Sequence, residues 1–258
     1  MQLLGRRIIV TGGARGMGAA TVRAYVAEGA QVISLDVLED EGMAVAEAAN
    51  AAAEAGSANF IACDVSSRAS VDAAFAEAAR RLGGLDVLAH VAGLERGDTA
   101  EDCDDATWDL MLNVNAKGTM YTNQAAFRLM QDHGGQIINF GSAAGVKGMT
   151  NAVAYSASKG AVLAWTRACA QSWGRYNISV NAIAPAIWTP MYDAHRARMS
   201  NSELASHDEM MRMAVPLGGK LGDPVTQFAP VMVFMATDGA RFITGQTLPV
   251  DGGVLMLT

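Results

Sequence analysis

Cysteine is scarce, charge is thin, and no stretch is apolar enough to suggest a membrane span. The three cysteines, Cys63, Cys103 and Cys169, are odd in number and far apart. They form no Cys-x-x-Cys pair and no cluster with the four histidines. A disulfide framework and a structural zinc site are therefore not expected. Reduced thiols fit a cytoplasmic protein. Only 17% of residues are charged, the formal net charge is -7, and no basic stripe occurs. Nucleic acid is not an expected partner. No run of 18 apolar residues appears, so no membrane association is expected. Residues 1–13 enter a strand pattern almost at once, and no signal peptide is expected. What the chain does have is apolar bulk: 51% of its 258 residues are hydrophobic, enough for a large core.

Short apolar runs alternate with Ala-rich stretches along the whole chain. The pattern predicts strands over residues 7–11, 31–36, 59–63, 85–89, 136–140, 178–183 and 247–250. It predicts helices over 16–29, 39–55, 67–82, 105–131, 153–173 and 224–236. Residues 187–215 follow no single period. Continuous apolar strands between helices imply an α/β fold: a doubly wound, mostly parallel, seven-stranded sheet with helices on both faces. No linker or repeat interrupts it, so residues 1–258 are expected to form one domain. A ligand is expected beyond the carboxyl ends of the strands, where the strand order reverses.

The first strand runs into Thr11-Gly12-Gly13-Ala14-Arg15-Gly16-Met17-Gly18. Gly12, Gly16 and Gly18 fall where a strand becomes a helix. Glycine permits the tight turn and lets backbone N–H groups approach a pyrophosphate at a helix N-terminus. A tight turn with no ligand has the same composition, so context must decide. Asp36 ends the second strand, where a carboxylate accepts hydrogen bonds from both adenosine ribose hydroxyls and repels a 2′-phosphate. Arg15 pulls the other way, since a cation in the loop suits that phosphate. Asp64 ends the third strand and either contacts adenine or caps the next turn.

Tyr155 and Lys159 stand four apart in a helical stretch, so their side chains share one face. Ser142 follows the fifth strand, at the same end of the sheet. Taken in order, these motifs resemble the short-chain dehydrogenases/reductases, in their compact branch of roughly 250 residues, over essentially the whole chain. The cofactor loop is similar at Thr11, Gly12, Gly16 and Gly18. Asn115 in Val114-Asn115-Ala116-Lys117-Gly118 resembles the family's helix asparagine. Ser142, Tyr155 and Lys159 match its serine, tyrosine and lysine, and Ile243-Thr244-Gly245-Gln246 and Val250-Asp251-Gly252-Gly253 resemble its C-terminal segment.

The resemblance implies a Rossmann fold, an NAD(H) cofactor and hydride transfer between the nicotinamide and a secondary alcohol or ketone, with no metal. Tyr155 would be the general acid/base. Lys159 would favour its phenolate and hold the nicotinamide ribose. Ser142 would bind the substrate oxygen, and Asn115 would hold a water on the proton path. Arg15, Met17, Val65, Val91, Ala92, Gly93, Ile187 and Thr189 would complete the cofactor contacts. Two departures stand out. The family's Asn-Asn-Ala-Gly is His90-Val91-Ala92-Gly93 here, and its Pro-Gly after the sixth strand is Pro185-Ala186. His90 reads as an interior histidine.

Residues 187–215 correspond to the family's substrate lid and hold Trp188, Met191, Tyr192, His195, Met199, Met210, Met211 and Met213. Methionine suits irregular apolar shapes, which points to an apolar, alicyclic or aromatic substrate; packing of the lid's own helix explains the same residues. Leu94, Glu95, Ala144, Met149 and Val153 are further pocket candidates. Ala157, Gly160, Ala161, Ala164 and Ala168 line one helix and suit either internal packing or a contact in a homodimer or homotetramer. The rival readings are an NADP-dependent ketoreductase acting on acyl-thioesters, a sugar-nucleotide epimerase, and a dinucleotide-binding module without turnover.

Overall fold

A computed structural model describes residues 1–256, apart from the side chains of Met191 and His195. Seven parallel strands form one sheet: β1 (Arg7–Thr11), β2 (Gln31–Asp36), β3 (Ser57–Ala62), β4 (Val87–His90), β5 (Gly135–Phe140), β6 (Ile178–Pro185) and β7 (Thr247–Val250). Their order is β3-β2-β1-β4-β5-β6-β7. The chain winds outward from β1 to β3, then restarts beside β1 with β4. The order reverses between β1 and β4, and the crevice there is the expected ligand position of an open α/β sheet.

Alternate residues on each strand feed two cores. Ile8, Val10, Val32, Val87, Ala89, Ile138 and Ile183 face one side. They pack there against α1 (Gly16–Ala27), α2 (Glu39–Ala51) and α10 (Ala229–Met235). Ile9, Ile33, Leu88, Ile137 and Val180 face the other, against α3 (Arg68–Leu82), α5 (Gly118–Met130) and α7 (Val153–Trp173). Strands buried on both faces explain why their sequence is apolar throughout instead of alternating.

Several elements differ from the sequence expectation. The second helix stops at Ala51, not at residue 55, because Asn50 ties its end to the next strand. Its amide donates to the Ala58 carbonyl at 2.9 Å and accepts from the Ala58 N–H at 2.6 Å. The long helix expected over 105–131 is α4 (Asp105–Met111), a π-helical stretch Leu112–Lys117, and then α5. The helix expected over 224–236 likewise begins with a π-helical stretch, Pro224–Phe228. Residues 187–215 contain two helices, α8 (Pro190–Arg196) and α9 (Asn201–Ala214). No residue of α9 is buried; Leu204, His207 and Met211 are half-buried on one face, but so thin a stripe does not mark it in the sequence. A capping box does: the Ser200 side chain meets the Glu203 N–H, and the Glu203 carboxylate returns to the Ser200 N–H.

Candidate active site

The loop after β1 is built around glycines that no other residue replaces. Gly12 has φ 68°, and a Cβ there would stand 2.7 Å from the Ala92 backbone. A Cβ on Gly18 would lie 1.9 Å from the Gly12 carbonyl oxygen. The loop is thereby pressed against the exit of β4, and α1 starts directly behind it at Gly16. Gly13, which the spacing did not single out, is also tightly placed, against a side chain instead of backbone: its Cβ would meet the Ser34 hydroxyl at 2.1 Å. The N–H groups of the first turn of α1, directly behind this loop, form a cradle for a pyrophosphate. The residues present thus fit the adenosine and pyrophosphate end of a dinucleotide.

Asp36 stands beside this loop. One carboxylate oxygen accepts from the Ala14 N–H at 3.0 Å and the other from the Leu38 N–H at 3.2 Å. The Arg15 guanidinium pairs with Glu41 in the first turn of α2. Asp64 serves a turn: one of its oxygens accepts from the Ser66 N–H at 2.8 Å and the Ser66 hydroxyl at 2.7 Å. Val65 is buried against the start of α5 at Gly118, while Val91 and Ala92 are half-buried and Gly93 is exposed. Met17 packs at the edge of the core on the α1 side. The hydroxyl of Thr189 accepts from the Tyr192 N–H at 3.3 Å, capping α8. A Cβ on Gly16 would lie 3.7 Å from Thr189 and Pro190, so the segment 187–215 begins against the loop.

Tyr155 and Lys159 project from the first turns of α7, with the ammonium 5.8 Å from the centre of the phenol ring. Burial pushes the Tyr155 phenol above its ordinary range; a hydrogen bond with Ser142 opposes the rise and the Glu95 carboxylate adds to it. Burial also pulls the Lys159 ammonium down to about 8, with Glu95 opposing. Lys159 Nζ donates to the Phe140 carbonyl at 2.8 Å. Asn115 is buried in the π-helical stretch. Its amide donates to the Leu94 carbonyl and the Ser158 hydroxyl, both at 2.9 Å, and accepts from the Leu94 N–H at 3.0 Å. A Cβ on Gly93 would sit 3.1 Å from Asn115 Oδ1 and 3.2 Å from Lys159 Nζ. Glycine at 93 keeps the space in front of both groups open. The structure therefore gathers Asn115, Ser142, Tyr155 and Lys159 at the same end of the sheet as the glycine loop.

A model of the family described as enoyl-(acyl carrier protein) reductase matches residues 12–255. Short-chain reductase protein NovJ of Streptomyces niveus is 38% identical over 249 residues, covering 95% of this chain and 92% of that protein. The chain belongs to the short-chain dehydrogenase/reductase family. This dehydrogenase/reductase is also 36% identical to trans-4-hydroxycyclohexanecarboxylate dehydrogenase of Sinomonas cyclohexanicum, over 95% of its own length and 91% of the other's. Among solved structures, levodione reductase superimposes with a TM-score of 0.90 at 28% identity, over 97% and 98% of the two chains. A short-chain type dehydrogenase/reductase from Mycobacterium ulcerans does so with the same score and identity, over 98% and 91%. The chain is accordingly an oxidoreductase that works with a nicotinamide cofactor.

The two departures of this dehydrogenase/reductase from the family pattern have local explanations. Ala186 needs no glycine freedom, because Asn177 is the only non-glycine residue with positive φ among those described. Its N–H donates to the Val250 carbonyl and its carbonyl accepts from the Gly222 N–H, both at 3.0 Å. His90 is fully buried, and burial, aided by the Lys159 cation, lowers its pKa to about 3. Its Nδ1 lies 2.8 Å from the Thr11 hydroxyl and 3.1 Å from the Thr122 hydroxyl. The Thr122 hydroxyl donates to the Gly118 carbonyl at 2.9 Å, so its oxygen faces Nδ1, and a ring hydrogen on Nδ1 spares Nε2, which has no partner among the described residues, from being a buried donor. His90 is thus a neutral strut joining β1, β4 and α5.

Asp98, which sequence reasoning missed, lies in the loop before α4 and holds the α7 N-terminus. Its carboxylate accepts from the Ala154 N–H at 3.2 Å and its own N–H donates to the Asn151 carbonyl at 3.1 Å. Ala152, at the helix start, supplies no cap of its own. Asp98→Ala is expected to cost about 1 kcal/mol of stability and to lower kcat several-fold by loosening Tyr155, with Asp98→Asn restoring both. Thermal melts and steady-state kinetics check this; an unchanged kcat in the alanine variant would refute the positioning role.

Within residues 187–215, Met210 and Met213 are largely exposed and Met211 is half-buried. A cavity of about 260 Å³ there is lined by Trp188, Tyr192, Arg196, Asp208, Met211 and Lys220, among others. Neither Ser142 nor Tyr155 lines it. The side chains of Met191 and His195 lie outside the described residues. Ala157, Ala161, Ala164 and Ala168 on α7 are exposed, so packing within the chain does not account for them.

Proposed function

We propose that this chain is an NAD(H)-dependent dehydrogenase of secondary alcohols, reducing the matching ketones in reverse. The convergence of Tyr155, Ser142, Lys159 and Asn115 beside the glycine loop carries this reading. When bound, the nicotinamide supplies or accepts the hydride. Residues 12–18, with Val91, Ala92, Gly93, Ile187 and Thr189, hold the dinucleotide, and Asp36 receives the adenosine ribose. In the oxidative direction the Tyr155 phenolate takes the alcohol proton, and in reduction the phenol returns it. The Ser142 hydroxyl donates to the substrate oxygen as negative charge develops there. The Lys159 ammonium favours the phenolate, offsetting the burial that raises Tyr155. Asn115, in the opened helix, keeps a water path to Lys159.

The substrate reading is an apolar, alicyclic or aromatic secondary alcohol, closed over by residues 187–215. The names of relatives support the alicyclic part, including a 3-alpha-(or 20-beta)-hydroxysteroid dehydrogenase of Mycobacterium tuberculosis, 36% identical. Arg15 favours the second reading, an NADP-dependent ketoreductase of acyl-thioesters. Following reduced-nicotinamide absorbance with NAD+ and with NADP+ over a panel of cyclic, aromatic and acyclic alcohols separates them. Turnover with NAD+ on cyclic alcohols is expected; turnover only with NADP+ would overturn the cofactor assignment. The exposed alanines of α7 also favour a homodimer or homotetramer, and a monomer by light scattering would refute that.

A further inference from the structure

We propose that Glu41 is a cofactor-selectivity residue, which keeps the dinucleotide site from accepting a 2′-phosphate by holding Arg15 away from it. The inference rests on the reading of residues 12–18 and Asp36 as the adenosine end of that site. Two charged pairs of contacts meet there. Asp36 is fixed through both oxygens, on the Ala14 and Leu38 N–H groups, so it cannot swing out of the way without losing both. Arg15 is the residue after Ala14, and its guanidinium is the cation of the loop. A free guanidinium in that place would form a charge-assisted, bidentate contact with a phosphate.

The guanidinium is not free. It pairs with Glu41, which sits in the first turn of α2 beside Glu39 and Asp40. That turn is a favourable place for a carboxylate, because it lies at the positive end of the helix. The Glu41 carboxyl is held below its usual range first by its own backbone N–H and then by Arg15. A 2′-phosphate would have to displace an anion already seated on Arg15 and stand close to Asp36 as well. Asp36 and Glu41 therefore act on different atoms: one repels the phosphate, the other removes its partner.

The pair is more than one-third exposed on both sides, so its own stability is small and the fold does not depend on it. This keeps Glu41→Gln foldable and bounds the effect. Calorimetry with 5′-ADP and with 2′,5′-ADP reads the site without turnover. Glu41→Gln is expected to tighten 2′,5′-ADP about three- to tenfold and to leave 5′-ADP within about twofold, a gain that shrinks at high salt. In an Asp36→Ser background the same change should gain more, because the released Arg15 then acts unopposed. Adding Arg15→Gln should erase the gain. If 5′-ADP binds the native chain but Glu41→Gln leaves 2′,5′-ADP unchanged, the role of Glu41 is wrong and the site reading stands. A gain that survives Arg15→Gln also overturns the proposal, since it would reflect net charge alone. Failure of the native chain to bind 5′-ADP overturns the site reading and this inference together.

Discussion

Tyr155→Phe is expected to cut turnover of every accepted alcohol by about a thousandfold, within the range for loss of a general acid/base. The change removes one oxygen and little volume. The ring keeps its place on α7, and nothing in the glycine loop or at Asp36 moves. The loss should therefore fall on kcat, while affinity for the dinucleotide stays as it was. The phenol is the group that Ser142 hydrogen-bonds and that the Lys159 cation faces. Without it both neighbours remain but have no proton to manage. Single-turnover kinetics with tritiated or deuterated alcohol would read the step directly. A variant keeping a tenth of native kcat would show that another group moves the proton.

Lys159→Met is expected to abolish turnover and yet raise the melting temperature. Burial lowers the ammonium from 10.5 to about 8 in the folded chain. The unfolded chain therefore binds the proton more tightly, and a charged Lys159 costs stability. That cost is complete below pH 8 and fades as pH rises toward the unfolded value near 10.4. Near neutral pH it amounts to roughly 3 kcal/mol, from which the orphaned Phe140 carbonyl of the variant takes back about 1–2 kcal/mol. A net gain of about 1–2 kcal/mol corresponds to a rise of several degrees for a chain of this size. The native chain should also gain stability between pH 8 and 10 relative to the variant. Melts at pH 7 and 9.5 check both signs. A variant that melts lower at pH 7 would mean that the ammonium stabilises the fold, contrary to the burial argument.

That a catalytic group should weaken the fold is a general feature of active sites, and it bears on what sequence can reveal. Runs such as Ile8-Ile9-Val10 and Ile137-Ile138 disclose buried strands because burial is written in their own side chains. The glycine loop and the four-residue spacing of Tyr155 and Lys159 are legible because the geometry they need is local. The contacts that complete the site are not local. Asp98 reaches Ala154, and His90 meets Thr11 and Thr122, across long stretches of chain. Glu41 meets Arg15 only after β2 has crossed between them. The helices in residues 187–215 are hard to read for a different reason: α9 buries no residue, and on its half-buried face only Leu204 and Met211 are apolar. Its one local signature was Ser200 followed by Glu203, which a search for periodicity passes over.

The π-helical stretch Leu112–Lys117 has a consequence for how this protein can vary over time. A wider turn accommodates about one residue more than an α-helix of the same length. Each residue of an α-helix turns the chain by about 100°. In a continuous α-helix the extra residue would put α4 and α5 out of phase by that amount, and the wide turn absorbs it. Point substitutions can tune the segment but cannot remove it. A one-residue deletion there would let the turn relax to an ordinary α-turn of the same length and leave buried Thr107 and Met111 in place relative to α5. The register of this helix is therefore inherited as a count of residues, and its history should be written in insertions and deletions more than in exchanges of side chains.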